Sequence, residues 1–422
     1  MSSDQDRPGR PAAGSDAQTA ELLKELLRRT HLSAPSDIGA TISSQAGSLG
    51  ATEVAVYLIN YEQDTLMPLK TGPADATEPL SVAGTVAGRA YSSSRILRAT
   101  ADAPGQDRVW IPMLDGTERL GAIGMTFDDG ALSDALTEAC ERYAHLAAML
   151  IVTKSAYGDA FEVTRRRQKM TIASELVWGL APPLIFATDD LSLAGMLEPA
   201  YDNGGDTLDY AVNDRVLHLG VFDAMGHGLA AAGVAAFAVS AYRHSRRGGS
   251  GLLETYTAMD EAVGQQFPDS RFVTALIAEL DLDSGRLTWI SAGHPPPLLI
   301  RGGRHARTLE APGVPPLGVP LEPVTPPVAE ANLEPGYLLL FYTDGLTDAR
   351  GPDGTIIGLD GISRFIEREA AAGQIAPETL RRLRHTLLIR EQTELRDDAT
   401  ALLIEWKRGG ERAFQPQTVL DR

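Results

Sequence analysis

The stretch LHLGVFDAMGHGLAAAGVAAFAVSAYR, residues 217–243, decides how the rest of the chain is read. An apolar run of strand type ends in Asp223, then Gly226 and Gly228 flank His227, and an alanine-rich run of helical type follows. A carboxylate at the end of a buried strand is costly unless it is paired or bound to a cation. A phosphate-cradling loop, a metal site and a plain tight turn all use such residues. The first lacks the lysine and glycine spacing that phosphate loops need.

Three further stretches repeat the pattern of an acid where an apolar strand begins or ends. EPAYDNGGDTLDYAV places Asp206 behind two glycines, with Asp209 three residues on. YLLLFYTDGLTDAR runs into Thr343-Asp344-Gly345, and RDDATALLIEW sets Asp397 and Asp398 before a strand. One such acid is ordinarily a turn residue. Four stretches in one region are harder to read that way, because lysines are scarce there: Lys169 and Lys407 stand at its margins, and Arg396 is the nearest candidate for an ion pair. A cluster of carboxylates with a backbone carbonyl suits hard divalent ions. Zinc is disfavoured, since no cysteine accompanies the histidines and no His-x-x-x-His pattern occurs.

The ordered set GGD, FDAMGHG, FVTALIAELDLDSGRLTWISAGHPPPLLI, PLGV, LLLFYTDGLTDAR and RDDATALLI resembles the metal-dependent type 2C serine/threonine phosphatases. Within them it is most similar to the bacterial SpoIIE-like branch, which regulates sigma factors by partner switching. The resemblance implies an α+β fold, an α-β-β-α sandwich with two antiparallel sheets face to face and helices outside. It implies two Mn2+ or Mg2+ ions bridged by Asp223, with the backbone carbonyl of Ala224 as a further ligand. Asp344 and Asp397 would hold one ion from the other sheet, and Asp206 would act directly or through water. Asp223, Asp344 and Asp397 are thus the expected catalytic set, and metal-activated hydroxide the expected nucleophile. The substrate implied is a phosphorylated partner protein of the anti-sigma-factor-antagonist type. Asp209 and Asp398 are read as supporting acids.

Some positions depart from the pattern. Ala224 stands where many members have valine, and Thr207 where an aromatic is usual. His227 lies four residues after the bridging acid, whereas eukaryotic relatives place their proposed acid histidine two after, so a hydrogen-bonded turn role is expected for it rather than general acid. His294 in SAGHPPP is expected to be a hydrogen-bonded turn residue beneath the site. The competing reading is a catalytically silent scaffold of the same fold that binds a signalling partner; retention of all four acids favours catalysis.

Upstream, residues 20–131 alternate helix and strand signals: a helical AELLKELLRRTHL, a hairpin with its turn at Glu62 to Asp64, a short helix and strand in VAGTVAGRAYSSSRIL, and a second hairpin turning at Asp115-Gly116. VAVYLIN, VAGTVAGRAYSSSRIL and VWIPML with GAIGMTF resemble a GAF domain, which implies a sensor with a small-molecule ligand or a dimer contact; PAS-like and plain structural readings stay open. Residues 132–181 read as a helical linker, with a seam at Leu136, Ala139, Tyr143, Leu146 and Leu150 and a second run from Phe161 to Pro182, suited to a homodimer. The phosphatase-like region is placed at 182–407, a disordered leader at 1–19 and a flexible tail at 408–422.

The 422 residues carry a formal net charge of −18, which argues against nucleic acid and anionic membrane as partners. No stretch has the roughly 18 apolar residues of a membrane span, and the start lacks the apolar core of a secretory signal. A single cysteine, Cys140, suits a reducing cytoplasm.

Overall fold

The computed structural model describes residues 16–71, 76–100, 104–128, 130, 132–268, 271–301, 304–321, 324–350, 354–388 and 397–406. The expected tail, Arg396 and residues 1–15 of the expected leader lie outside these. The chain divides into two compact units, with the boundary between Arg167 and Gln168.

The first unit contains α1 (Asp16–Thr30), α2 (Ile38–Ala46), β1 (Glu53–Ile59), β2 (Thr65–Pro68), β3 (Leu80–Ser81), α3 (Val86–Ser93), β4 (Leu97–Thr100), β5 (Gln106–Asp115), β6 (Glu118–Asp128), α4 (Asp134–Ser155) and α5 (Ala160–Arg165). Its sheet runs β3-β2-β1-β6-β5-β4, and both expected hairpins are present in it as β1–β2 and β5–β6. Strand alternation sends Val56, Leu58, Val109 and Ile111 to one face, where they pack on Leu26, Ile42 and Tyr143. Tyr57, Ile59 and Trp110 go to the other face, under Ala87, Ala90 and Tyr91 of α3. A sheet with helices on both faces is compatible with a GAF-like domain.

The expected linker, 132–181, is divided between the units. Four of the five seam residues of α4, Leu136, Ala139, Tyr143 and Leu150, are buried in the first unit's own core, with Leu146 packed against it. The second helical run is broken as well. It leaves helical geometry at Arg166, and α6 (Ile172–Leu180) restarts with Thr171 as N-cap, its side chain accepting from the Ser174 amide. The arginines between the helices are engaged elsewhere: Arg165 donates to the Ile59 carbonyl and Arg167 to Glu62 and Asp64 of the first hairpin turn.

The second unit opens with α6 and continues through β7 (Ile185–Thr188), β8 (Leu191–Glu198), β9 (Asp206–Asn213), β10 (Val216–Ala224), α7 (Gly228–Arg247), α8 (Leu252–Gln266), β11 (Val273–Asp281), β12 (Arg286–Ala292), β13 (Leu298–Arg301), β14 (Arg304–Thr308), β15 (Ala329–Asn332), β16 (Tyr337–Tyr342), α9 (Asp344–Asp348), α10 (Gly358–Ala371), α11 (Ala376–Leu383) and β17 (Ala399–Trp406). The strands form two antiparallel sheets, β15-β12-β11-β10-β9 and β14-β13-β16-β17-β8-β7.

Three apolar layers follow from period-two alternation. Leu217, Leu219, Val221, Leu276, Ala278 and Leu280 of one sheet meet Leu339, Phe341, Leu402 and Ile404 of the other in a shared core. The opposite residues of the first sheet, such as Phe222, Ala224 and Ile277, pack on α7 and α8. Those of the second, such as Leu338, Leu340, Ala401 and Leu403, pack on α10 and α11. This is the α-β-β-α sandwich.

Candidate metal centre

The inner stripes of the two sheets change from apolar to polar at the same end of the sandwich. Val221 is followed on its face by Asp223, and Leu208 is preceded by Asp206. Leu276 is preceded by Thr274, Phe341 is followed by Thr343, and Leu402 is preceded by Thr400 and then Asp398. Asp223 pairs in register with Asp206 on one side and Thr274 on the other. Asp344 opens α9 immediately after Thr343, and Asp397 lies just outside the start of β17.

Hydrogen bonds close this end across the two sheets. Oδ2 of Asp398 accepts from the amides of Gly204 at 2.9 Å, Gly205 at 2.6 Å and Asp206 at 3.4 Å. The Thr343 hydroxyl donates to Oδ2 of Asp206 at 2.6 Å and accepts from the Thr400 amide at 2.9 Å. Glycines permit the approach: a Cβ on Gly345 would stand 1.9 Å from the Asp398 carbonyl, and one on Gly204 2.4 Å from the Gly228 nitrogen. A Cβ on Gly205 would crowd the Ala224 carbonyl at 3.0 Å.

Burial, then the neighbouring charges of Asp344, Asp397 and Asp398, pushes the Asp223 carboxyl up to about 6. Burial and Asp223 together raise Asp206 well above the usual carboxylate range. Asp344 is raised by burial and by Asp397, and Asp398 by burial against the pull of its three amides. The acids therefore repel one another, and among the described residues none of the five has a lysine or arginine at ion-pair distance. Elsewhere the same unit supplies arginine to its buried acids. Asp209 takes Arg243 at 2.6 Å and Arg246 at 2.8 Å, and Glu198 takes Arg384. Asp209 is thus an anchor between β9 and α7, through an ion pair that the lysine count did not reveal.

Among the described residues, no three His, Cys, Asp or Glu side chains already stand at the spacing of a closed metal site. The acids instead form an open ring, with Asp206 buried at its floor and Asp344 and Asp397 exposed at its rim. An all-oxygen donor set lacking counter-charge among the described residues fits hard divalent cations.

The two histidines part ways. His227 is exposed, N-caps α7 without a side-chain bond, and makes no hydrogen bond among the described residues, so the expected turn-bonding role is not formed. The loop is shaped by Gly226 and Gly228, whose φ values of 93° and 74° supply the turn without it. His294 is buried, with Nδ1 2.8 Å from the Thr274 hydroxyl and Nε2 3.0 Å from the Tyr342 carbonyl. It bridges the two sheets beneath the acids, and burial pushes its imidazole down to about 4. Thr274 and Thr400 carry no motif signal, and with Thr343 beside Asp344 they are marked only by their phase, two residues from Leu276, Leu402 and Phe341.

Residues 213–407 match the family Stage II sporulation protein E (SpoIIE), just under half of the chain. The phosphoserine phosphatase RsbU of Bacillus subtilis is 22% identical over 272 residues, which cover 62% of this chain and 80% of RsbU. Among solved structures, the RsbU and RsbW domains of a Mycobacterium tuberculosis protein are 29% identical with a TM-score of 0.45, covering 52% of this chain and 62% of that one. The PP2C phosphatase domain and regulatory fragment of Bacillus subtilis SpoIIE give 13% identity and a TM-score of 0.42, covering 72% of this chain and 80% of that one. The matched segment takes in Asp223, Asp344 and Asp397 but begins after Asp206. The second unit of this chain is therefore similar to the SpoIIE family over residues 213–407, and the chain is a homologue of the phosphoserine phosphatase RsbU.

Proposed function

We propose that the open carboxylate ring binds two Mn2+ or Mg2+ ions and hydrolyses phosphoserine or phosphothreonine on a partner protein of the anti-sigma-factor-antagonist type. The observation that carries this reading is the convergence of Asp206, Asp223, Asp344 and Asp397 at one end of the sandwich without cationic partners among the described residues. Asp223 would bridge the ions, the Ala224 carbonyl would add a ligand, and Asp344 and Asp397 would hold one ion from the second sheet. Asp206, held by Thr343, would act directly or through water. When bound, two such ions activate water near neutral pH and neutralise charge on a phosphoryl group. The chain's own residues set the geometry: Asp398 fixes the Gly204–Gly205–Asp206 turn, and Gly345 lets α9 start against β17.

The first unit is proposed to be a GAF-like sensor, taking a small ligand or a protein contact, that regulates the phosphatase in the cytoplasm. Its cysteine, Cys140, is buried, and burial pushes its thiol up to about 12. A homodimer through α4 would use its exposed Met149 and Val152, since the seam itself is occupied. No described helix is long and apolar enough to cross a membrane.

Phosphate release from a phosphoserine form of an anti-sigma-factor antagonist, with the full chain stripped of metal and resupplied with Mn2+, tests the reading. Release should require Mn2+, and Asp223→Asn should lower it by about a thousandfold or more. No release at saturating Mn2+, or full activity in the variant, would favour the silent scaffold instead.

A further inference from the structure

Directly under Asp223, one hydroxyl proton faces two acceptors. Thr274 is the register partner of Asp223 on β11, so the two side chains stand side by side on the same face of the sheet. The same hydroxyl stands 2.8 Å from Nδ1 of His294. Nε2 of His294 faces the Tyr342 carbonyl at 3.0 Å, and a carbonyl can only accept. Nε2 therefore holds the proton, and in a buried neutral imidazole Nδ1 then holds a lone pair. The backbone beneath the imidazole is fixed as well, since Ser291 Oγ donates to the His294 carbonyl at 2.7 Å.

We propose that His294 is a positioning residue that draws the Thr274 hydroxyl proton to its Nδ1, so that Thr274 presents no donor to Asp223 and both carboxylate oxygens stay open to cations. The tautomer is set from the second sheet, by the Tyr342 carbonyl two residues before Asp344. The end of β16 thereby prepares a carboxylate on β10. Without the Nδ1 acceptor, the hydroxyl turns to the carboxylate, and a charge-assisted bond there must be broken or weakened when a cation binds. The inference rests on the metal-centre reading above and assigns a role in it to two residues outside the ligand set.

Mn2+ titration of the full chain, followed by electron paramagnetic resonance, reads this without reference to catalysis. His294→Gln keeps an N–H toward Tyr342 and removes the acceptor at Nδ1; it should weaken Mn2+ binding about tenfold. Thr274→Val removes the hydroxyl at nearly constant shape and should leave binding within about twofold of wild type. Adding Thr274→Val to His294→Gln should restore binding to within about threefold of wild type, a rescue that a packing role for His294 would not give. A double variant as weak as His294→Gln, or a tenfold loss in Thr274→Val alone, overturns the proposal. If circular dichroism shows His294→Gln unfolded, the Thr274→Val titration decides. Equal Mn2+ binding by wild type and Asp223→Asn would instead remove the metal-centre reading, and this inference with it.

Discussion

The hydroxyl of Thr343, at the end of one sheet, donates to Oδ2 of Asp206, at the start of a strand in the other, over 2.6 Å. Both residues are buried, and Thr343 also receives the Thr400 amide. This single contact orients an acid that the fold leaves without a cationic partner. Thr343→Val should cost about 1–2 kcal/mol, because an amide and a carboxylate both lose their partner in a buried setting. Urea unfolding of the chelated protein measures it, and Mn2+ affinity should fall in the same variant.

Burial of the acids, and then the repulsion among them, gives stability a defined pH dependence. Asp223 is raised to about 6 in the fold against an ordinary value of 3.8, so its contribution is full below about pH 4 and lost as pH rises through 6. The His294 contribution runs the other way, being complete above about 6.5 and lost as pH falls through 4. Mn2+ should therefore raise the melting temperature of the stripped protein more at pH 7.5 than at pH 5, by about 4 °C or more. Differential scanning calorimetry at the two pH values checks the sign.

Asp223→Asn separates folding from function. Removing one repelling charge should make the chelated variant melt higher than chelated wild type at pH 7.5, while Mn2+ should no longer stabilise it. An unchanged Mn2+ shift in the variant would show that the cations bind elsewhere.

Asp209 offers the opposite signature. Its carboxylate is buried between Arg243 and Arg246, and Asp209→Ala would leave both guanidinium groups under-partnered, at about 3 kcal/mol or more. Chemical denaturation should show that loss, with Mn2+ affinity in the remaining folded protein close to wild type.

Gly345 sets how near α9 comes to β17. A Cβ there would lie 1.9 Å from the Asp398 carbonyl, so Gly345→Ala must push Asp344 and Asp397 apart. Mn2+ affinity should drop by about tenfold or more, measured by the same titration as for wild type.

The acids of the candidate site stand out in sequence because they sit at the ends of apolar strands, in the stretches that carry Asp206, Asp223, Asp344 and Asp397; the preference for Asp397 over Asp398 comes from the family resemblance. The sandwich was legible too, since β10 and β16 carry long buried apolar runs. Other features depended on tertiary context. Thr274, Thr343 and Thr400 look like ordinary strand residues until both sheets are in register. The Arg243–Asp209–Arg246 pairing needs α7 packed beside β9. The run after Phe161 has helical spacing throughout, yet Thr171 caps a new helix and Arg167 before it binds the first hairpin turn. His227 drew attention by its glycine neighbours, whereas the buried His294 holds the hydrogen bonds.

The most direct test of the metal centre is anomalous diffraction at the manganese edge from crystals of the full chain grown with Mn2+. Two peaks should appear about 3.5–4 Å apart, bridged by Asp223 and flanked by Asp344, Asp397 and the Ala224 carbonyl. No peak at saturating Mn2+, or peaks that leave Asp223 uncoordinated, would contradict it.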